Sequence, residues 1–143
     1  MIVVDLGCAD HGEAFSLRQL VDRYAPDRIF GFDPSPTLEE SVDIRRSAAW
    51  LFDGEIGYTE DGIRSAIGEG QPVPCFDFST WLQGVGNAVV KMDVEGAEAS
   101  LLERMIVDGA DKLVTELLVE WHNPGDAERL LPQLRCPVTD WWM

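Results

Sequence analysis

Apolar positions along the 143 residues come in blocks, and the blocks switch between strand-like and helix-like spacing. Ile2 to Leu6 is a short, nearly continuous apolar run, as a strand buried on both faces requires. Leu17, Leu20, Val21 and Tyr24 then recur at helical spacing, and Pro26 closes that helix. Arg28 to Asp33 predicts a second strand ended by Pro34-Ser35-Pro36, after which Ser35 or Thr37 can cap a short helix to about Ile44. Ser47 to Phe52 predicts a third strand. Asp53-Gly54 is a hairpin signal, so Glu55 to Thr59 is expected to return antiparallel. Asp61 to Gln71 reads as loop, Val73 to Phe76 as a short extended piece, and Phe78 to Leu82 as a short helix capped near Ser79. Ala88, Val89 and Val90 begin a buried strand, and Ala97, Leu101, Leu102, Met105 and Ile106 form the stripe of the helix after it. Leu113 to His122 predicts a further strand. Asn123-Pro124 opens a last helix with Ala127, Leu130, Leu131 and Leu134 on its buried face. Cys136 to Met143 is left as a tail, extended at most, with Trp141 and Trp142 exposed unless something covers them.

Strands thus alternate with helices from end to end. The pattern predicts one α/β domain over residues 1–143: a doubly wound, mostly parallel sheet with helices on both faces. Only the piece around Glu55 to Thr59 is expected to run antiparallel.

Composition narrows the ligand more than the fold. There are 26 acids against 11 bases, a net charge of −15, which excludes nucleic acid as a natural partner. The three cysteines, Cys8, Cys75 and Cys136, have no metal spacing and suit a reducing, cytoplasmic setting. The first apolar run is broken by Asp5, so it is read as a core strand and not a signal peptide. No segment approaches the roughly 18 apolar residues of a membrane span.

Two stretches carry candidate chemistry. In Val4-Asp5-Leu6-Gly7-Cys8-Ala9-Asp10-His11-Gly12 a strand runs into a glycine-bearing turn that opens a helix, where backbone can approach a ligand closely. Asp33 ends the next strand about 21 residues after Gly12, near the spacing at which an acid reaches ribose hydroxyls. The turn lacks the glycine pattern of dinucleotide sites and the Lys of a phosphate loop. With Asp5 and Asp10 in it, it suits a cationic nucleoside such as S-adenosyl-L-methionine. The second stretch is Asn87 to Glu98, where Lys91, Asp93 and Glu95 fall at alternate positions before Gly96. Glu116, Leu118, Glu120 and His122 share a face of the following strand, and Lys91 is expected to pair with Glu120 if the two strands are neighbours. Clustered carboxylates with Lys and His shift one another's proton affinity, which points to acid–base work. Asp93, Glu95, Glu98 and His122 also hold metal-type donors, but no spacing is diagnostic, and no metal is expected.

Lys91-Met92-Asp93-Val94-Glu95-Gly96-Ala97-Glu98 resembles the K-x-D-x-E-G-x-E signature of FkbM-type methyltransferases, of the S-adenosylmethionine-dependent, Rossmann-like class. Val4-Asp5-Leu6-Gly7 resembles the family's first-strand motif, and Phe32-Asp33-Pro34 its F-E-P, with Asp in place of Glu. Phe76-Asp77-Phe78 sits where the family has a Leu-Asp element, and Val119-Glu120-Trp121-His122 resembles its E-x-H. The resemblance implies a minimal class I methyltransferase fold, S-adenosyl-L-methionine as cofactor, and methyl transfer to a hydroxyl of a small molecule or sugar. Under it Asp5, Gly7, Cys8 and Ala9 cradle the methionine part in a turn closed by Gly12. Asp33 binds the ribose, while Pro34, Ala49 and Trp50 wall the adenine. Asp93 holds the ammonium or the acceptor, and the catalytic group is drawn from Lys91, Glu95, Glu120 and His122. The short chain, the wide turn from Gly7 to Gly12 and the two terminal tryptophans support two other expectations. One is a homodimer that covers the site; the other is a non-catalytic module acting through a protein partner.

Overall fold

The computed structural model describes residues 1–9, 15–36, 38–61, 64–65 and 70–141. The first half runs β1 (Ile2–Leu6), α1 (Phe15–Tyr24), β2 (Arg28–Asp33), β3 (Ile44–Arg46), β4 (Ala48–Trp50), β5 (Gly54–Tyr58), β6 (Glu60–Asp61) and β7 (Arg64–Ser65). The second half runs β8 (Gln71–Asp77), α2 (Phe78–Val85), β9 (Ala88–Met92), α3 (Glu98–Asp108), β10 (Val114–Val119), α4 (Pro124–Leu130) and β11 (Val138–Asp140), with a 3-10 turn at Ala110–Leu113 before β10.

Six strands form one sheet in the order β11-β10-β9-β1-β2-β3, and every neighbouring pair is parallel. Counted within that sheet the order is 3-2-1-4-5-6, that of a Rossmann-like doubly wound fold, with its switch point between β1 and β9. Period two assigns the faces. Val3, Ile29, Val89 and Leu118 point to one side, where Leu20 of α1 and Trp141 cover them. Val4, Leu6, Val90, Met92, Leu117 and Val119 point to the other, against Leu82 of α2, Leu101, Leu102 and Met105 of α3, and Leu130 of α4. Burial on both faces explains why β1 and β9 are apolar except for the paired Asp5 and Lys91.

A second, three-stranded sheet, β4-β8-β5, stands beside the first. It corrects the expected hairpin at Asp53-Gly54: β8 lies between β4 and β5, parallel to β4 and antiparallel to β5. The expected third strand is likewise divided, with Ile44–Arg46 joining the large sheet and Ala48–Trp50 the small one. No helix forms among the described residues between Ser35 and Asp43. The Arg46 guanidinium instead takes up the carbonyls of Ser35 (3.2 Å) and Leu38 (2.5 Å), and its backbone N–H donates to Glu40 Oε1 (2.7 Å). Within the stretch read as loop, β6 and β7 pair antiparallel. Asp77, and not Ser79, caps α2, its Oδ1 accepting from Thr80 N at 3.1 Å. The tail is not loose: β11 pairs with β10 at the sheet edge, and Trp141 is 5% exposed. Thr37 and Trp142 lie outside the described residues.

Candidate functional site

Parallel strands place their carboxyl ends together, so Gly7, Asp33, Asp93 and Glu120, which follow or end β1, β2, β9 and β10, come to one side of the sheet. The ends of β1 and β9 are in contact. Asp93 N donates to Leu6 O at 3.0 Å, and Gly7 has φ +85° with its α-carbon facing the Asp93 carbonyl. A Cβ at Gly7 would stand 1.7 Å from that oxygen, so the close approach of the segment after β9 requires the glycine.

A cleft lies over these ends. Gly7, Asp33, Pro34, Asp93, Val94 and Glu95 form one wall. Ala48, Ala49, Ile56, Tyr58 and Val73, all on the small sheet, form an apolar wall opposite. Three carboxylates and no basic side chain line the cleft among the described residues. Of this apolar wall only Ala49 was expected; Ile56 and Tyr58, two residues apart in an expected strand, carried the signal that they share a face.

Asp33 is held by two backbone donors, Ser35 N to Oδ1 at 2.8 Å and Ala9 N to Oδ2 at 3.2 Å. Burial nonetheless pushes its carboxyl up to about 6, against the pull of those two bonds and of Lys91.

Beside the cleft, His122 stands among acids. Its Nδ1 is 2.8 Å from Glu98 Oε1, and its Nε2 is 3.2 Å from Glu95 Oε2 and 3.5 Å from Asp93 Oδ1. Burial alone would lower the imidazole, but the charges of Glu98, Glu95 and Asp93 outweigh it and hold the imidazolium above its ordinary value. Burial pushes Asp93 up to about 7; Lys91 opposes this, and the hydrogen bond to Glu120 adds to it. Glu98 itself is 3% exposed and accepts from Val94 N (2.8 Å) and Gly96 N (3.2 Å), which fixes the loop between β9 and α3. In that loop Glu95 adopts φ +51°, a left-handed conformation uncommon outside glycine.

Several expected site residues sit elsewhere. Lys91 does not share a face with Asp93 and Glu95, because β9 ends at Met92 and the two acids belong to the loop. Its side chain points to the α1 side, fully buried, and its partner is Asp5 (3.0 Å) instead of Glu120; it also donates to Gly7 O (2.8 Å). Asp5 is correspondingly buried and accepts from Ser16 Oγ at 2.7 Å, so neither charge lines the cleft. Cys8 is buried too, and burial pushes its thiol well above the ordinary range. Ala9 reaches the site only through its N–H to Asp33, while Trp50 packs between the two cores. Glu120 and His122 flank the cleft without lining it. Asp10, His11 and Gly12 lie outside the described residues.

Comparison of the chain with protein-family models, curated proteins and solved structures finds no match. No helix among the described residues is long and apolar enough to cross a membrane.

Proposed function

We propose that the chain is an S-adenosyl-L-methionine-dependent methyltransferase acting on a hydroxyl of a small molecule or sugar. One observation carries the reading. At the switch point of a doubly wound sheet, a cleft faces Asp33, Asp93 and Glu95 on one side and an apolar wall on the other, without a basic side chain. A pyrophosphate cofactor is disfavoured there, whereas a ligand with an apolar base and a positively charged sulfonium and ammonium fits both walls.

Under this reading Asp33 accepts the ribose hydroxyls, and Pro34, Ala49 and Ile56 cover the adenine. Gly7 lets the backbone approach the methionine part, and Asp93 attracts the positive end. When bound, the cofactor supplies an electrophilic methyl group for an acceptor oxygen. The protein's own contribution is to hold the two in line and exclude alternative geometries, which is the larger share of such catalysis. Glu95 is the base we favour. Of Glu95, Glu120 and His122 it alone lines the cleft, in a loop that Glu98 holds through Val94 N and Gly96 N. It would take the proton that the acceptor hydroxyl gives up as the methyl group passes to its oxygen, the sulfonium–methyl bond breaking to leave the neutral thioether S-adenosylhomocysteine. The three unpaired cysteines support a reducing, cytoplasmic location. Calorimetric titration with S-adenosylhomocysteine tests the reading, since binding requires the cofactor walls but no knowledge of the acceptor.

A further inference from the structure

We propose that Asp93, Glu120 and His122 form a site for a divalent first-row metal ion at the ends of β9 and β10. The two strands are neighbours, with Met92 registered against Val119, so the next residues, Asp93 and Glu120, leave the sheet side by side. Glu120 N donates to Met92 O at 3.0 Å, which fixes that pairing, and His122 follows two residues on. One donor atom from each of the three side chains lies within 4.8 Å of the others. Two carboxylates and an imidazole are a mixed oxygen–nitrogen set suited to such an ion.

Two further observations point to a cation. First, Asp93 Oδ1 is closed to solvent and accepts no hydrogen bond among the described residues, with His122 Nε2 standing 3.5 Å away. The Lys91 charge also acts on Asp93, but its ammonium is paired with Asp5 beneath the sheet end. His122 alone does not neutralise the cluster either: with Asp93, Glu95, Glu98 and Glu120 around one imidazole, it stays net negative even when that ring is protonated. Second, His122 is oriented as metal-binding histidines are. Its Nδ1 meets the buried Glu98 carboxylate at 2.8 Å, and this turns Nε2 toward Asp93 and Glu95. Glu98 is itself anchored by the N–H groups of Val94 and Gly96, so the ring is held in place before any ion arrives.

Ion binding stands independently of the methyltransferase reading; its use rests on it. Beside the cleft, the ion would coordinate the acceptor's hydroxyl oxygen and make its proton easier for Glu95 to remove.

The test is a titration of the chelator-treated full chain with Mn2+, following the spectrum of the free ion by electron paramagnetic resonance. A single saturable ion per chain is expected. Glu120→Gln and His122→Gln should each abolish it, and Glu98→Gln should weaken it by roughly ten- to a hundredfold, as loss of a group orienting a ligand does. Glu39→Gln, an exposed acid elsewhere, should leave it unchanged. Circular dichroism of each variant confirms folding, and the near-isosteric Glu120→Gln keeps the test decisive if His122→Gln does not fold. Absence of saturable Mn2+ binding, or equal binding by Glu120→Gln and the native chain, would overturn the site. Titration with S-adenosylhomocysteine, with and without Mn2+, separates the two proposals: Mn2+ binding without homocysteine-nucleoside binding contradicts only the methyltransferase reading, and the reverse contradicts only the metal site.

Discussion

Lys91 Nζ lies 3.0 Å from Asp5 Oδ1, and neither side chain is exposed. This pair closes the junction of β1, β9 and the start of α1, because Ser16 Oγ bonds the same carboxylate and Lys91 also reaches the carbonyl of Gly7. A buried pair contributes little net stability, yet removing one partner leaves an uncompensated charge. Lys91→Met should therefore lower unfolding free energy by about 3–5 kcal/mol, and adding Asp5→Asn should restore part of that loss. Urea denaturation of the two variants checks this; a loss below ~1 kcal/mol for Lys91→Met would show that the pair is not buried as described.

Asp33 gives a pH signature. Burial holds its carboxyl up to about 6, above the ordinary 3.8, so it is ionised above that pH and takes up a proton below it. If the carboxylate accepts ribose hydroxyls, affinity for S-adenosylhomocysteine is full near neutrality and declines as pH falls through about 6. Asp33→Asn should bind roughly ten- to a hundredfold more weakly, the cost of losing a charged hydrogen-bond partner, and should lose that pH dependence. Calorimetry at a series of pH values reads both effects.

Gly7 tests the contact between strand ends. Alanine at this position would have to adopt φ +85° and place its Cβ 1.7 Å from the Asp93 carbonyl oxygen. The conformational and steric terms together predict a loss of about 3 kcal/mol or more for Gly7→Ala, with displacement of the Asp93 loop. A thermal midpoint equal to that of the native chain would contradict the close approach.

Trp141 carries the edge strand. It packs with Leu20 and Leu118 on the α1 side, and its ring centroid is 6.0 Å from Lys91 Nζ. Trp141→Ala should cost about 3–5 kcal/mol, as for other buried aromatics, and should expose the amides of β11 to rapid hydrogen exchange. Unchanged protection at Thr139 would show that β11 holds without it.

Much of the fold was legible because it rests on local pattern. The apolar runs Ile2–Leu6 and Ala88–Val90 declared buried parallel strands, and the stripe from Ala97 to Ile106 declared the helix packed on them. What escaped depends on partners distant in sequence. Asp53-Gly54 is a sound turn signal, yet β8 takes the place beside β4, which no local rule reveals. The helix expected after Ser35 loses to the Arg46 guanidinium, whose hydrogen bonds hold the same segment in an irregular path. In the site, Gly7, Asp33, Asp93 and Glu95 were readable from motif order, Pro34 and Ala49 only through the family resemblance, and all six line one cleft. Lys91 and Asp5 were misplaced because period two was carried past Met92, where the strand stops, and because their mutual burial comes from register between β1 and β9. Glu98, at the end of the signature, was weighed only as a metal-type donor; the fold reveals that its carboxylate faces His122 and fixes the loop.

The central claim is that the acid-lined cleft binds a cationic adenosyl cofactor, and S-adenosylhomocysteine calorimetry on the full chain at neutral pH tests it most directly. The account predicts saturable binding, one ligand per chain, with a dissociation constant on the order of 1–100 µM. Asp33→Asn should weaken it and Glu39→Gln should leave it intact. No binding at protein concentrations of about 100 µM, or binding that Asp33→Asn and Asp93→Asn both leave unchanged, would contradict the assignment.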